Sequence, residues 1–221
     1  MNLRPLLHFY SILCFLLLSS CTNEKMSSKP SEQTRTDSSF IYFEKGKNSK
    51  EIRDKISNFN KAIQSIADKN DTLYPLLLDY KIYYHTRLKE YDSALISADS
   101  LELFSNSKKD TEWLALALYR KAVINRYLDD QEKVFLYAFE ARKRYLQLGD
   151  SAKAARRSLE MAIAQSRMED FTGSQESATE ALAHLNKDKD LQYLSSAHNV
   201  IAIAYRNRGF YKDALKEYDN A

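Results

Sequence analysis

Small side chains recur every forty residues along much of the chain, and this period constrains the fold more than any other feature of the sequence. Four columns of equivalent positions carry mostly alanine or another small residue: Ile82, Ala122, Ala162 and Ala202; Ala94, Val134, Ser174 and Ala214; Ala98, Ala138 and Ala178, with Tyr218 closing the series; and Leu101, Ala141, Ala181 and Ala221. Self-similarity at a fixed period of about 20–50 residues is typical of proteins whose units stack to bury one continuous core. The chain is therefore predicted to be a stack of repeated units.

Each repeat carries the pattern of two helices joined by a short polar turn. A fifth column, suited to capping the first helix, consists of Asn70, Asp110, Asp150 and Asp190, since Asn and Asp side chains accept hydrogen bonds from the free N–H groups at a helix N-terminus. The first-helix patterns end near Leu88, Leu128, Met168 and Arg208, and the second-helix patterns end near Leu103, Leu148 and Leu185. Gly149 stands where a C-terminal glycine cap is expected. Each unit is therefore predicted to be a helical hairpin.

The spacing of these columns resembles the tetratricopeptide repeat (TPR), which has a small residue midway along its first helix, an aromatic residue near the turn, and alanines at fixed offsets in its second helix. The best match is Ala202, Gly209, Tyr211, Ala214 and Ala221. The resemblance covers residues 70–221, in units of 70–109, 110–149, 150–189 and a truncated 190–221. It implies an all-α fold, a right-handed superhelical solenoid of antiparallel helix hairpins.

The length of the repeat departs from this family, whose usual unit has about 34 residues, and approaches the range of about 40–47 residues found in HEAT and armadillo repeats. Those families remain an alternative. They lack the aromatic-x-x-small turn that Tyr211-Lys212-Asp213-Ala214 provides here, and the TPR-like fold is therefore favoured.

Two segments precede the repeats. Residues 50–69 are predicted to form an N-terminal capping helix, because their apolar residues share one helical face: Ile56, Phe59, Ile63, Ile66 and Ala67. Residues 21–49 are rich in Ser, Thr, Lys and Glu and are predicted to be a flexible tether, with the aromatic cluster at 40–43 docking on the first helix. No polar capping helix follows Ala221, so the sequence is expected to be a piece of a longer protein.

The first residues have the features of a secretory signal. A basic start at Arg4 is followed by an apolar run from Pro5 to Leu18, too short to cross a bilayer as a helix. Leu18-Ser19-Ser20-Cys21 then resembles the bacterial lipobox. This resemblance implies that residues 1–20 are removed, that Cys21 carries diacylglycerol, and that the mature chain is anchored in the cell envelope, at the periplasmic face or outer membrane of a bacterium.

The sequence contains no pattern typical of catalysis, metal binding or nucleic-acid binding. The histidines, His8, His85, His184 and His198, have no metal-ligand spacing, and the four glycines are isolated, so that no phosphate-binding loop is present. Acidic and basic residues are interspersed, with a formal net charge of +3 and no concentrated basic stripe. No enzyme, cofactor, metal site or nucleic-acid partner is predicted.

The resemblance to TPR proteins also implies a binding groove lined by the first helices. Transferred position by position, its residues are Asp79, Tyr83, Arg87, Tyr119, Arg126, Tyr127, Arg156, Arg167, Asn199, Arg206 and Asn207. Arginine pairs with carboxylates through two parallel hydrogen bonds, so a basic groove would favour an acidic protein or peptide segment. The alternative is that these arginines are simply solvated. Arg157, next to exposed positions, is expected to tolerate replacement by alanine.

Two functions remain open from the sequence. The first is a lipid-anchored scaffold or adaptor that holds a protein or peptide partner in the groove and touches the membrane only through its anchor. The second is the N-terminal sensory or interaction region of a truncated signalling protein, such as a histidine kinase or a DNA-binding regulator. The sequence does not fix the oligomeric state.

The lipid anchor gives a first testable prediction. A single acyl chain holds a protein only marginally at a membrane, whereas two or three chains hold it stably. We expect Cys21→Ser to abolish incorporation of labelled palmitate and to leave the protein unprocessed or released from the membrane fraction. Unchanged labelling and unchanged electrophoretic mobility of this variant would contradict the lipoprotein prediction.

Overall fold

The computed structural model describes residues 38–67 and 72–221, and within these ranges every regular element is a helix. The ten helices, numbered α1 to α10 in chain order, are Ser38–Asn48, Ile52–Ser65, Leu73–Arg87, Tyr91–Lys108, Thr111–Tyr127, Gln131–Gln147, Ser151–Arg167, Phe171–His184, Leu191–Asn207 and Tyr211–Asp219. Helices adjacent in sequence pack together, and α3/α4, α5/α6, α7/α8 and α9/α10 are four hairpins of a TPR-like superhelix. The predicted all-α solenoid is confirmed. The signal, Cys21 and Asn70 lie outside the described residues.

One kind of turn joins the two helices of every hairpin. The residue after the C-cap of each first helix has a positive φ, and these residues are Lys89, Asp129, Glu169 and Gly209. The next N–H donates to the carbonyl five residues earlier, as Asp130 does to Asn125 at 3.0 Å, which is the Schellman arrangement. Three of the four positions are not glycine, so a sequence search for glycine caps finds only the last of these turns.

Several aspartates close one helix and open the next. The N–H of Asp130 closes α5, while its Oδ1 accepts a hydrogen bond from the N–H of Lys133 at 3.0 Å and so caps α6. Asp110 and Asp150 do the same between hairpins, because their N–H groups bond to α4 and α6 and their side chains cap α5 and α7. This double use of one residue keeps the connections short.

Asp190 is the N-cap residue of α9, as its column predicts, but the predicted side-chain capping bond is absent. Its carboxylate makes no capping bond to α9, and instead Oδ2 accepts from the N–H of Asn186 at 3.0 Å while Oδ1 accepts from Arg156 at 2.6 Å. The side chain is only 2% exposed. Arg156 of α7 binds this carboxylate in place of the N–H groups of α9, and sequence spacing alone does not reveal that pairing.

The small-residue columns lie where helices approach most closely. The buried members are Ile82, Ala94, Ala98, Leu101, Ala122, Val134, Ala138, Ala141, Ala162, Ser174, Ala178, Ala181, Ala202 and Ala214. In the third hairpin the Ser174 hydroxyl donates to the Ala162 carbonyl at 2.9 Å, so a side chain of α8 contacts the backbone of α7 directly. Tyr218 and Ala221, at the end of two columns, are exposed.

The N-terminal part differs from the predicted tether. Residues 38–48 form α1 and pack against α2, which lies within the predicted capping segment 50–69. Phe43 and Phe59 are buried, and a Cβ atom at Gly46 would lie 2.5 Å from Cε1 of Phe59. Burial of Phe43 and the absence of a side chain at Gly46 stabilise a helix where composition suggested none. Phe59 also stacks on Tyr80 of α3 at 5.2 Å, so α2 covers the first hairpin.

Ala162 provides a test of this packing. Ala162→Arg places a long charged side chain where α7 meets α8, and overpacking alone costs about 1–3 kcal/mol, to which the buried charge adds. We expect a clear fall in the midpoint of thermal unfolding. Ala183→Arg, at an exposed position of α8, is the matched control and should change the midpoint little. Equal midpoints for Ala162→Arg and wild type would show that the packing register is wrong.

Candidate functional site

The first helices α3, α5, α7 and α9 carry all the predicted groove residues, and their common surface is called here the first-helix face. Eight of these side chains are exposed, namely Tyr83, Arg87, Arg126, Tyr127, Arg167, Asn199, Arg206 and Asn207. Asp79, Tyr119 and Arg156 are half-buried. The transferred positions therefore do lie on one set of helices, but the three half-buried ones contact residues of neighbouring hairpins.

A pocket of about 140 Å³ opens between α3 and α5 on this face. It is lined by Ile82, Tyr83, Thr86, Arg87, Arg120, Val123 and Tyr127. Ligand pockets for drug-sized molecules usually exceed about 300 Å³. The pocket therefore has room for one side chain of a partner rather than for a complete small molecule.

Arg120, which the sequence analysis did not single out, shapes this pocket. Its Nε donates to Oδ1 of Asp79 at 2.6 Å and its Nη2 to Oδ2 at 3.0 Å, a bidentate pair between neighbouring hairpins. Asp79 is consequently not a free acid in the groove. Arg120 lines the pocket, but its charge is neutralised by Asp79. The two residues are forty-one positions apart, close to one repeat, which is the sequence signal that could have paired them.

Each first helix has an arginine at its last residue, as for Arg87 and Arg167, or one residue earlier, as for Arg126 and Arg206. This set of four is called the arginine row. Nη1 of Arg126 lies 3.9 Å from Glu160, and Nη1 of Arg167 lies 3.6 Å from Asp129. Arg87 and Arg206 form no ion pair with the described residues. Pairs as exposed as Arg167–Asp129 are weak, about 0–1 kcal/mol, so Arg87, Arg167 and Arg206 keep most of their capacity for an anion.

Arg156 belongs to a contact between hairpins. Its guanidinium donates to Asp190 and lies 4.8 Å from the ring centre of Tyr193 on α9. The Asn186 N–H, followed by Arg156, lowers the pKa of the Asp190 carboxyl. This predicted groove residue therefore joins α7 to the start of α9, and it is not offered to a partner in the way that the arginine row is.

The structure corrects the expectation for Arg157, which is only 6% exposed. Its guanidinium carbon lies 3.7 Å from the ring centre of Tyr119, and its Nη1 lies 3.4 Å from Oε2 of Glu160. Among the described residues, Nε and Nη1 of Arg157 and Oε2 of Glu160 have no hydrogen-bond partner. Successive residues of a helix are about 100° apart, so Arg157 faces α5 although Arg156 next to it does not.

Two of the histidines have structural partners. His85 Nδ1 lies 2.8 Å from Glu90, and His198 Nδ1 lies 2.7 Å from Glu217. Within residues 38–67 and 72–221 no three His, Cys, Asp or Glu side chains are arranged to hold a metal ion. No helix in the same ranges is long and apolar enough to cross a membrane.

Arg157 yields a prediction that reverses the sequence-based one. Arg157→Ala leaves the Glu160 carboxylate without its nearest cation, and breaking a buried pair in this way costs roughly 3 kcal/mol or more. Burial already raises the pKa of Glu160, and loss of Arg157 raises it further. A raised pKa of Glu160 stabilises the folded protein while this carboxyl is protonated, and that stability is lost as pH rises through the pKa. The loss of stability in Arg157→Ala should therefore be larger at neutral than at acidic pH.

Thermal unfolding at neutral and at acidic pH tests this prediction for Arg157→Ala. Arg53→Ala is the control, because Arg53 is 78% exposed. The double variant Arg157→Leu with Glu160→Leu should recover most of the loss, since apolar replacement of a buried pair is often neutral. A midpoint for Arg157→Ala equal to that of the Arg53 control would contradict the buried contact.

Known proteins share the fold of the chain. The structure superimposes on BtubC (BKLC) from P. vanneervenii with a TM-score of 0.69 and 18% sequence identity, covering 76% of this chain and 70% of that one. For the TPR2AB-domain:pHSP90-complex of yeast Sti1 the identity is 15%, with coverage of 82% and 88% and a TM-score of 0.40, too low to support an argument. No family model matches the sequence. No curated protein matches it either. At this identity the likeness to BtubC shows the fold alone, a TPR-like stack of helical hairpins.

Proposed function

We propose that the first-helix face binds an extended, acidic segment of a protein partner, and that the chain is a lipid-anchored scaffold of the bacterial cell envelope. The observation that carries the binding proposal is the pocket between α3 and α5 next to the arginine row. The pocket can hold an apolar side chain and the arginine row can hold carboxylates, and both lie on the same set of helices.

The pocket supports an apolar anchor. Ile82 in its lining is buried, while Tyr83 and Tyr127 are 42% and 58% exposed at its rim. Tyr127 is held in place by stacking on Tyr91 at 5.8 Å. A leucine-sized side chain that enters this space buries apolar surface, at about 25 cal/mol per Å² removed from water. Arg87 at the rim remains available for a neighbouring carboxylate.

The arginine row supports an acidic, extended segment. Packed helices lie about 8–10 Å apart, and an extended chain advances about 3.3 Å per residue. Arginines on neighbouring first helices therefore match acidic residues at about every third position of a partner. Each arginine stands at a helix C-terminus, where its charge is favourable in the free protein. The row is consequently stable without a partner and still exposed to one.

The envelope location is supported by the lipobox-like sequence at Leu18–Cys21. A lipid on Cys21 would tether the repeats to a membrane, where they could recruit a partner to one compartment. Removal of Cys14 with the signal would leave the mature chain without any cysteine other than the lipidated one. The hairpin stack would then be stabilised by its core alone, in agreement with the buried alanine columns.

A designed peptide tests the binding proposal. The probe is a fluorescent peptide with glutamate at every third position and one leucine, and its affinity is measured by anisotropy at low and high salt. Arg126→Ala with Arg167→Ala should weaken binding about tenfold or more, because each charge-assisted hydrogen bond contributes roughly 1.5 kcal/mol or more. The loss should shrink at high salt.

Two controls accompany this experiment. Lys187→Ala with Lys189→Ala removes the same charge from exposed loop positions and should change the affinity less than about twofold. Replacing the leucine of the peptide with alanine should weaken binding to wild type. A peptide that binds both double variants equally, or that loses affinity only with the lysine pair, would place the site away from the first-helix face.

A further inference from the structure

Adding forty to the numbers of the residues that line the pocket between α3 and α5 gives an equivalent second position between α5 and α7. The equivalents of its lining residues include Val123, Arg126, Tyr127, Glu160, Ile163 and Arg167. Both positions lie on the first-helix face. The first contains one member of the arginine row, Arg87, and the second contains two, Arg126 and Arg167. The second position is therefore the next place along the groove where a partner would make contact.

The two positions differ in the charge of one column. In the first, Arg120 is bound by Asp79, and Arg87 is exposed with no anionic partner among the described residues. In the second, Glu160 occupies the position of Arg120, and its Oε1 lies 3.9 Å from Nη1 of Arg126. The guanidinium that would receive a partner carboxylate thus already faces a carboxylate of its own chain.

We propose that Glu160 competes from within the chain for the Arg126 guanidinium, so that the second position binds an acidic side chain weakly while Glu160 is ionised and more strongly once it is neutral. This inference rests on the proposed function, since it concerns the same arginine row. The physical reason is repulsion: two carboxylates within about 4–6 Å disfavour each other's ionised form. Glu160 is fixed by burial and by Arg157, and the partner is therefore the group that is displaced.

The protonation of Glu160 makes this competition sensitive to pH. Arg157 on its own helix and Arg126 on α5 are the charged groups that act on it, and Tyr119 of α5 stacks on Arg157; no titratable group of α6, α8 or α9 in the described ranges adds to this field. Burial raises the pKa of the Glu160 carboxyl and outweighs both arginines, which lower it. As pH falls, Glu160 is protonated before an exposed partner carboxylate is. Arg126 is then released while the partner is still charged.

The test uses Glu160→Gln with the same glutamate-rich peptide, at about pH 8 and about pH 5.5, both above the ordinary glutamate pKa of about 4.3. Wild type should bind about two- to fivefold more tightly at the lower pH, the range expected from release of one partly exposed ion pair. Glu160→Gln should bind at the higher pH as tightly as wild type does at the lower one, with no further change. Glu176→Gln, at an exposed site on α8, should behave as wild type.

A second measurement requires no peptide. The ¹⁵Nε resonance of Arg126 should follow the titration of Glu160 in wild type and stay constant in Glu160→Gln. At the higher pH, sodium sulfate should shift this resonance in Glu160→Gln and leave it nearly unchanged in wild type, with sodium chloride as the control for ionic strength. Equal responses of wild type and Glu160→Gln to sulfate, or equal peptide affinities at both pH values, would overturn the competition. A peptide that binds no variant, together with the expected sulfate response, would overturn the proposed function and leave the competition supported.

Discussion

Close approach of helix backbones at the small-residue columns determines the rest of the structure. Ala162 illustrates the constraint, because its carbonyl accepts a hydrogen bond from the Ser174 side chain of the neighbouring helix. A larger residue would push the two helices apart. Since every hairpin has small residues at two or more of the same four places, successive hairpins stack with similar geometry, and a position on one first helix has an equivalent forty residues later. The periodic arrangement of the first-helix face is a consequence of this packing.

The turns show which parts of the fold can be predicted from sequence. The ends of the first helices, Arg87, Tyr127, Arg167 and Asn207, lie one residue before the predicted ones, because a polar turn interrupts the apolar pattern there. The end of α4 was predicted near Leu103, but the helix continues to Lys108. The Schellman turns were missed where Lys, Asp or Glu takes the left-handed conformation that glycine usually signals. α1 was missed for a different reason: docking of the aromatic cluster was expected, but the composition of residues 38–48 indicated no helix, and the helix is stabilised by the contact of Phe43 with Phe59 of α2.

In the candidate site, too, the positions on helices were predicted from the sequence and the contacts between distant side chains were not. Alignment of the repeats was enough to put the transferred residues on four adjacent helices, because backbone position follows from the period. Their pairing was not predicted, because spacing suggests which hairpins can pair, as for Asp79 and Arg120, but not which side chains meet. Asp79 binds Arg120, Arg156 binds Asp190, and Arg157 lies against Tyr119. Each pair joins residues 34 to 41 positions apart, and a small rotation of either helix would separate the partners.

Specificity in such a stack has to come from departures from the repeat. A perfectly regular groove would offer the same contacts at every step, and a partner could slide by one hairpin without loss. Here the equivalent positions Arg120 and Glu160 carry opposite charges, so the steps are distinguishable. At the first, the Asp79–Arg120 pair leaves a pocket suited to an apolar side chain beside the free Arg87. At the second, Glu160 opposes another acid unless it is neutral. If the first-helix face binds an acidic segment as proposed, a partner with its apolar residue at the first step and its acids elsewhere along the arginine row would satisfy both conditions, and this combination would fix its register on the face.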